Sequence, residues 1–338
     1  MTEELWAEKY RPKKFEDILD QKNLVNHLSS YVKNHNLPNL LFYGQRGTGK
    51  TSMAYVISRG LYGDYWDENL AHLDASDFFE RGKRYLKSEK KFNRFYSEYK
   101  SVIEIFKDVI GEYASLAPIN TDFKILFFSN SESLPTDAQH ALRRMIEKFN
   151  RTSRFIFETT SQSKLISPLR SRCLSLHFKR ISEESISRLI RQIADLEGIK
   201  IADEGINALA FVSEGDVKRA INTLQAASTV NPVVDPQTVF EVVKMMNTKD
   251  AVELIEHAFE GNFTDVRNII DNLLINQGFL GEQILSQVKN AVLKSGISDR
   301  KMARLLVYVS DADLKIRYGL NDRIHLEEMA FKFKDVII

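Results

Sequence analysis

The segment Gly44-Gln-Arg-Gly-Thr-Gly-Lys50-Thr51 restricts this chain more than any other. An apolar run, Leu40-Leu-Phe-Tyr43, precedes it, and a helix-length amphipathic stretch, Ser52–Leu61, follows. Strand, Gly, four residues, Gly-Lys-Thr and then helix is the arrangement of a phosphate-binding loop. Its glycines let backbone N–H groups converge on phosphate oxygens, and the helix N-terminus adds its dipole. Gly44, Gln45, Arg46, Gly47, Thr48 and Gly49 then form the cradle. Lys50 reaches the β- and γ-phosphates, and the Thr51 hydroxyl is placed to ligate Mg²⁺. A chance glycine-rich turn leaves the strand before it and the helix after it unexplained.

Short apolar runs alternate with amphipathic stretches through the first half, the pattern of a parallel sheet with crossover helices. Strands are expected at Leu40–Tyr43, around Ala71–Leu73, and at Lys124–Phe128, Arg154–Glu158 and Leu174–Phe178. Helices are expected near Ser52–Leu61, Ser101–Tyr113 and Thr136–Lys148. Residues 1–179 therefore read as an α/β nucleotide-binding module.

After Phe178 the strand signals stop. Ser182-Glu-Glu opens a helix that Gly198 ends, and Asp203–Ser213 and Asp216–Ser228 complete an all-α unit over residues 180–233. Asn231-Pro-Val-Val-Asp-Pro236 reads as a linker. Residues 234–338 are helical again, with breaks near Gly261-Asn, Gly278 to Gly281 and Gly296. With 15 glycines and 7 prolines in 338 residues, most of the chain belongs in regular elements.

Charge excludes a global attraction to polyanions: 47 Lys and Arg face 46 Asp and Glu, for a net +1. Any nucleic acid must meet a local patch. The lone Cys173 rules out an intrachain disulfide and a Cys-rich metal site, and fits a reducing compartment. The acidic start does not resemble a signal peptide, and no apolar run approaches the ~18 residues of a membrane span. The expectation is a cytoplasmic, soluble protein without membrane contact.

A phosphate loop of this kind usually works with a second strand that ends in an acidic pair, Asp for Mg²⁺ and Glu for the attacking water. Here Lys124-Ile-Leu-Phe-Phe128 runs into Ser129-Asn130-Ser131-Glu132. Asn130 can position a water but cannot accept its proton. Either the site binds ATP and hydrolyses it poorly, or Glu132 substitutes, sharing a face with Asn130 if the strand continues.

Trp6-Ala-Glu-Lys-Tyr-Arg-Pro12, Phe15-Glu-Asp-Ile18, the phosphate loop, Pro168-Leu-Arg-Ser-Arg-Cys173 and Gly215-Asp-Val-Lys-Arg-Ala-Ile-Asn222 occur in this order. Together with Ala312-Asp, Asn321-Asp-Arg323 and Leu326-Glu, they make the chain resemble replication factor C small subunits of archaea and eukaryotes. These are sliding-clamp loaders of the AAA+ ATPase family, here with a degenerate acidic pair. The resemblance implies an AAA+ domain, a helical lid and a helical collar. It also implies a pentameric hetero-oligomer with a large subunit and a second small subunit, gripping the clamp and primer–template DNA, with ATP at subunit interfaces.

By the same resemblance, Tyr10, Arg11 and Pro12 line the adenine side, and Arg172 is an arginine finger given in trans to a neighbour's ATP. Pairing of Arg172 with a local carboxylate is the plainer reading. Thr160 stands where the family has a polar sensor, usually Asn. Lys218 takes the place of the lid arginine, a point charge instead of a bidentate fork. An intact finger beside weakened positions implies a subunit that serves its neighbour's hydrolysis more than its own. A fully active ATPase and a nucleotide-independent scaffold remain the alternatives.

About twenty additional residues precede the Lys124 strand. Between 81 and 100, Arg81, Lys83, Arg84, Lys87, Lys90, Lys91, Arg94 and Lys100 face only Glu89 and Glu98, an excess of six positive charges. Phe92, Phe95, Tyr96 and Tyr99 are interleaved at helical spacing. Contact with a DNA backbone and an ordinary solvated helix with an aromatic core face are both open here. Phe78 and Phe79 either reach the clamp or are buried.

Overall fold

A computed structural model describes residues 5–246, 249–276, 279, 281–318 and 321–336. The chain divides into two compact units, Met1–Val239 and Phe240–Ile338. In the first, α1 (Trp6–Lys9) and α2 (Lys22–Lys33) precede β1 (Leu40–Tyr43) and α3 (Lys50–Tyr62). There follow β2 (Leu70–Asp74), the short α4 (Ala75–Phe79), α5 (Gly82–Ser88) and α6 (Lys90–Asn93), and then α7 (Val102–Ser115). After these come β3 (Lys124–Ser129), α8 (Thr136–Lys148), β4 (Ser153–Thr159), α9 (Ser167–Arg170) and β5 (Leu174–His177).

The five strands form one sheet in the order β2-β3-β4-β1-β5, with every neighbouring pair parallel. Both faces are covered, which is why the strands read as continuous apolar runs. Leu41, Leu126, Phe128, Phe155 and Phe157 pack on the side of α7 and α8. Leu40, Phe42, Ile125, Phe127 and Ile156 pack on the side of α2 and α3. Alternation along each strand therefore feeds two cores, and a polar residue at a strand's end declares which face it joins. The loops after β1, β3 and β4 leave the sheet at its carboxyl edge, where parallel α/β sheets bind ligands.

The helices after β5 start and stop on the expected signals. Ser182 caps α10 (Glu183–Glu197) by accepting from the Ser185 amide, and Gly198 ends it at φ +68°. The helices α11 (Asp203–Ser213) and α12 (Val217–Val230) follow, the latter capped by Asp216. One pairing departs from the all-helical expectation: β6 (Lys200–Ile201) runs parallel to β7 (Val233–Val234), two residues each, too short to register as periodicity.

Next comes α13 (Pro236–Met246). The second unit is helical, with α14 (Lys249–Glu260), α15 (Phe263–Asp271), α16 (Gly281–Lys294), α17 (Asp299–Tyr318) and α18 (Asp322–Phe333) around Leu254, Ile270, Val288, Leu305 and Phe333. Gly278, expected as a break, lies outside the described residues.

The inserted segment is part of the core. Phe78 and Phe92 are 1% and 2% exposed, with ring centroids 5.4 Å apart, and Phe106 of α7 lies 5.2 Å from Phe78. Phe78 is thus unavailable to a clamp, and Phe79 packs against Phe106 at 5.0 Å. The four aromatics also do not share a helix. The last short helix stops at Asn93, and Tyr99 stands 99% exposed. Phe92→Ala is expected to cost about 3–5 kcal/mol, seen as a lowered urea midpoint of the first unit. Tyr99→Ala should stay within about 0.5 kcal/mol of the parent.

Candidate functional site

The phosphate loop opens at the end of β1, and α3 begins at Lys50 with Gly49 at φ +91°. Lys50 is almost fully buried, and its ammonium donates to the carbonyls of Gly44 at 3.0 Å and Gln45 at 2.6 Å. Burial lowers its pKa, partly offset by the carboxylates of Glu158, Glu132 and Asp216. Thr48 donates its hydroxyl to the Gln45 carbonyl at 2.9 Å, fixing the loop's turn. Gly47, Thr48, Gly49, Lys50 and Thr51 line a cavity, while Gly44, Gln45 and Arg46 do not.

That cavity, of about 530 Å³, is within the usual range for small-ligand sites. Its other walls are the segment from Ala7 to Lys13 and the apolar side chains Ile181, Leu189, Ile193 and Ile221. Tyr10, Arg11 and Pro12 all line it. Tyr10 donates to Glu197 at 2.7 Å, tying the N-terminal segment to the end of α10, and the Arg11 guanidinium lies 5.0 Å from the Tyr55 ring centroid. Lys218 lines the cavity as well.

The N-terminal end of α12 meets the loop directly. The Val217 amide donates to the Gly47 carbonyl at 3.2 Å, and Asp216 caps α12 through the Arg219 amide at 3.0 Å. Gly47 sits at φ +68°, and a Cβ there would come within 1.8 Å of Asp216 Oδ1 and 2.8 Å of its Cα.

Along the sheet's carboxyl edge, β3 ends at Ser129, and Asn130 takes a left-handed conformation at φ +49° that breaks the strand. The Asn130 amide donates to Asp74 Oδ2 at 2.8 Å, and Ser129 donates to the same oxygen at 2.9 Å. His72 contacts Ser129 Oγ through Nε2 at 2.8 Å and Tyr55 Oη through Nδ1 at 3.0 Å. Burial pushes the His72 imidazole down to about 4, so it is neutral at pH 7. The relay then runs from the tyrosine hydroxyl through a neutral imidazole and Ser129 to Asp74. Burial raises the Asp74 pKa, but hydrogen bonds from Ser76 and Ser129 outweigh it and keep the carboxyl below its ordinary value.

Glu132 did not continue the strand. It sits in a single 3₁₀ turn, Ser131–Ser133, and its carboxylate accepts from the Thr160 hydroxyl at 2.7 Å. The structure therefore joins Thr160 to Glu132 beyond β4.

A residue that sequence reasoning passed over occupies the centre. Glu158, in β4, lines the cavity; its Oε2 accepts from the Thr51 hydroxyl at 2.7 Å, and its Oε1 lies 3.9 Å from Lys50 Nζ. Burial raises its pKa, opposed by Thr51 and Lys50. Thr51 and Glu158 together form an oxygen-only donor pair, which suits a hard cation such as Mg²⁺. The available signal was a lone acid closing an apolar strand, but only cross-strand register shows that it faces the loop.

Arg172 is outside the cavity. Its guanidinium binds Glu147 at 2.9 and 2.5 Å and the Pro168 carbonyl at 2.6 Å, the local pairing foreseen as the plainer reading. Beside it, burial pushes the Cys173 thiol up to about 12. In the basic segment, Arg81 pairs with Asp77, Arg94 with Glu112 and Lys100 with Asp108. Lys83 donates to the Glu98 carbonyl, and Lys87 and Lys91 lie against the rings of Tyr96 and Phe92. The side chains of Arg84 and Lys90 lie outside the described residues.

Two family models match: the replication factor C C-terminal domain over residues 246–332, and the DNA polymerase III delta subunit over residues 20–182. The replication factor C small subunit of Archaeoglobus fulgidus is 34% identical over 325 residues, 96% of this chain and 95% of the relative. That of Thermofilum pendens is 36% identical over 336 residues, 98% of this chain and 97% of the relative.

This chain belongs to the replication factor C small subunits.

Small subunits of replication factor C are AAA+ clamp-loader subunits, a family that binds nucleotide, and the clamp-loader role extends to this chain. The fold matches Thermotoga maritima RuvB, a Holliday junction branch migration motor, with a TM-score of 0.57 at 17% identity, over 88% of this chain and 98% of that one. That likeness shows the AAA+ fold alone. Among the described residues, no helix is long and apolar enough to cross a membrane, and no three His, Cys, Asp or Glu side chains are grouped to hold a metal.

In this replication factor C chain, Gly47→Ala forces a side chain into the Asp216 backbone at a conformation that L residues rarely adopt. The variant should lose at least about tenfold in affinity for a fluorescent ATP analogue, measured by titration, and melt at a lower temperature.

Proposed function

We propose that this chain holds ATP in the cavity between the phosphate loop and the lid, hydrolyses it weakly, and donates Arg172 to a neighbouring subunit's site. The observation that carries this reading is the fate of Asn130. The end of β3 presents an amide already bound to Asp74, so the place of the water-orienting acid holds no base. Lys50, Thr51 and the lid contact are intact, which favours a binding site over a relic in a pure scaffold.

Bound Mg²⁺ would neutralise charge on the β- and γ-phosphates. The residues do the rest: Lys50 meets the phosphates, Tyr10, Arg11 and Pro12 flank the base, and Lys218 approaches from the lid. Arg172 is held by Glu147 and does not line its own cavity. In the assembly it would serve a pentamer with a large subunit and a second small subunit, acting on the clamp and primer–template DNA. Lys83, Lys87 and Lys91 have no carboxylate partner among the described contacts and make the better DNA candidates within the basic segment.

A second reading rests on Glu132, whose carboxylate is close enough to influence Lys50 and Glu158. In it, Glu132 acts as the base.

The purified chain should bind ATP, lose binding in Lys50→Ala, and turn over on the order of 10²-fold more slowly than a clamp-loader subunit with an intact acidic pair. Rapid turnover that collapses in Glu132→Gln would instead establish the second reading. In the mixed assembly, Arg172→Ala should lower ATPase activity steeply, since such a finger is worth about 10³–10⁵ at the site it serves. No change there removes the in-trans role.

A further inference from the structure

We propose that Glu158 is the metal-orienting carboxylate of the nucleotide site, acting from β4 where β3 offers none. The inference rests on the reading of the cavity as an ATP site.

The sheet register supplies the argument. Phe127 pairs with Ile156 and Phe128 with Phe157, so the next residues, Ser129 and Glu158, stand side by side. Ile125 and Phe127 belong to the core on the α3 side, as does Ile156. By alternation, Ser129 and Glu158 therefore face α3 and the loop. A carboxylate at 129 would aim at this region; Ser129 gives its hydroxyl to Asp74 instead. Glu158 occupies the same face one strand closer, since β4 is β1's direct neighbour and pairs Phe42 with Glu158.

Its contacts fit the task. The Thr51 hydroxyl donates its proton to Glu158 at 2.7 Å, which leaves the oxygen lone pairs directed elsewhere, available to a cation. Mg²⁺ is typically held by one or two protein oxygens together with phosphates and water. The position is also expensive to keep for packing alone, because the carboxylate is desolvated and Lys50, its nearest cation, bonds to two carbonyls at 3.0 Å or less. A glutamine would make the same bond to Thr51 without the desolvation cost. The charge thus has a use beyond structure.

With Glu158 orienting the metal and Asn130 in the place of the base, the two acidic roles separate. Tight Mg²⁺-dependent binding and slow hydrolysis then coexist in one pocket.

The test compares the parent chain with Glu158→Gln and Glu132→Gln, titrating a fluorescent ATP analogue in EDTA and at rising Mg²⁺, with thermal melts in parallel. The parent should bind more tightly with Mg²⁺. Glu158→Gln should need about 10–100-fold more Mg²⁺ for the same gain, as losing a metal-orienting partner does. Its affinity in EDTA should equal or exceed the parent's, and its melting temperature in EDTA should not fall. A normal Mg²⁺ response in Glu158→Gln, above all with a lowered melting temperature, would make Glu158 a structural residue and overturn the proposal. So would loss of the Mg²⁺ response in Glu132→Gln alone. If the parent binds no ATP even at saturating Mg²⁺, the nucleotide-site reading itself fails, and this inference with it.

Discussion

A buried ammonium organises the carboxyl edge of this sheet. Lys50 has almost no solvent, so its ammonium must find partners within the protein, and two loop carbonyls accept its hydrogen bonds, with the Glu158 carboxylate 3.9 Å away. That requirement fixes the turn of the phosphate loop, because Gly44 and Gln45 must direct their carbonyls inward. Glu158 is in turn held where it can also receive the Thr51 hydroxyl. The start of α12 is seated on the same loop through Gly47, which tolerates no Cβ. Loop, sheet and the start of α12 thus meet around one buried charge.

Around that centre the polar residues have been redistributed. At the end of β3 stand a hydroxyl and an amide, both spent on Asp74 of β2. Acid is present on either side of β3, in Asp74 and Glu158, but not on it. Because strand pairing is parallel and in register, a carboxylate moved by one strand keeps its height along the sheet and its face. It changes only its lateral distance from the loop. On the proposed function, the chemistry that follows is one of retention more than of hydrolysis.

Most of the fold was legible because its signals are local. The phosphate loop is a fixed spacing between a strand and a helix, and β1 and α8 begin and end where the apolar pattern does. Ser182, Gly198 and Asp216 are stop and start residues with a direct backbone role. Long-range pairings were not legible. Glu158 matters through its neighbours Ser129 and Phe42, and no spacing within the chain encodes which strands lie side by side. The aromatic run from Phe92 to Tyr99 imitates a helix face, yet the chain leaves the helix at Asn93; tertiary packing buries Phe92, sets Phe95 and Tyr96 half-buried against the same core and leaves Tyr99 exposed. The charge excess of the same segment was real in composition but is partly spent on local carboxylates of Asp77, Glu112 and Asp108. Arg172 reads plainly as a motif, while the service to another subunit proposed for it depends on a chain that its own sequence does not contain.

The central claim, a metal-binding ATP site whose carboxylate has moved to β4, is tested most directly by locating the ion. A crystal of this chain grown with a non-hydrolysable ATP analogue and Mn²⁺, recorded at the manganese absorption edge, should show one anomalous peak at the Thr51 hydroxyl, with the Glu158 carboxylate reaching the ion or one of its waters. A peak held from the side of Glu132 and Asp74, or analogue bound in the cavity with no ion beside Thr51, would contradict it.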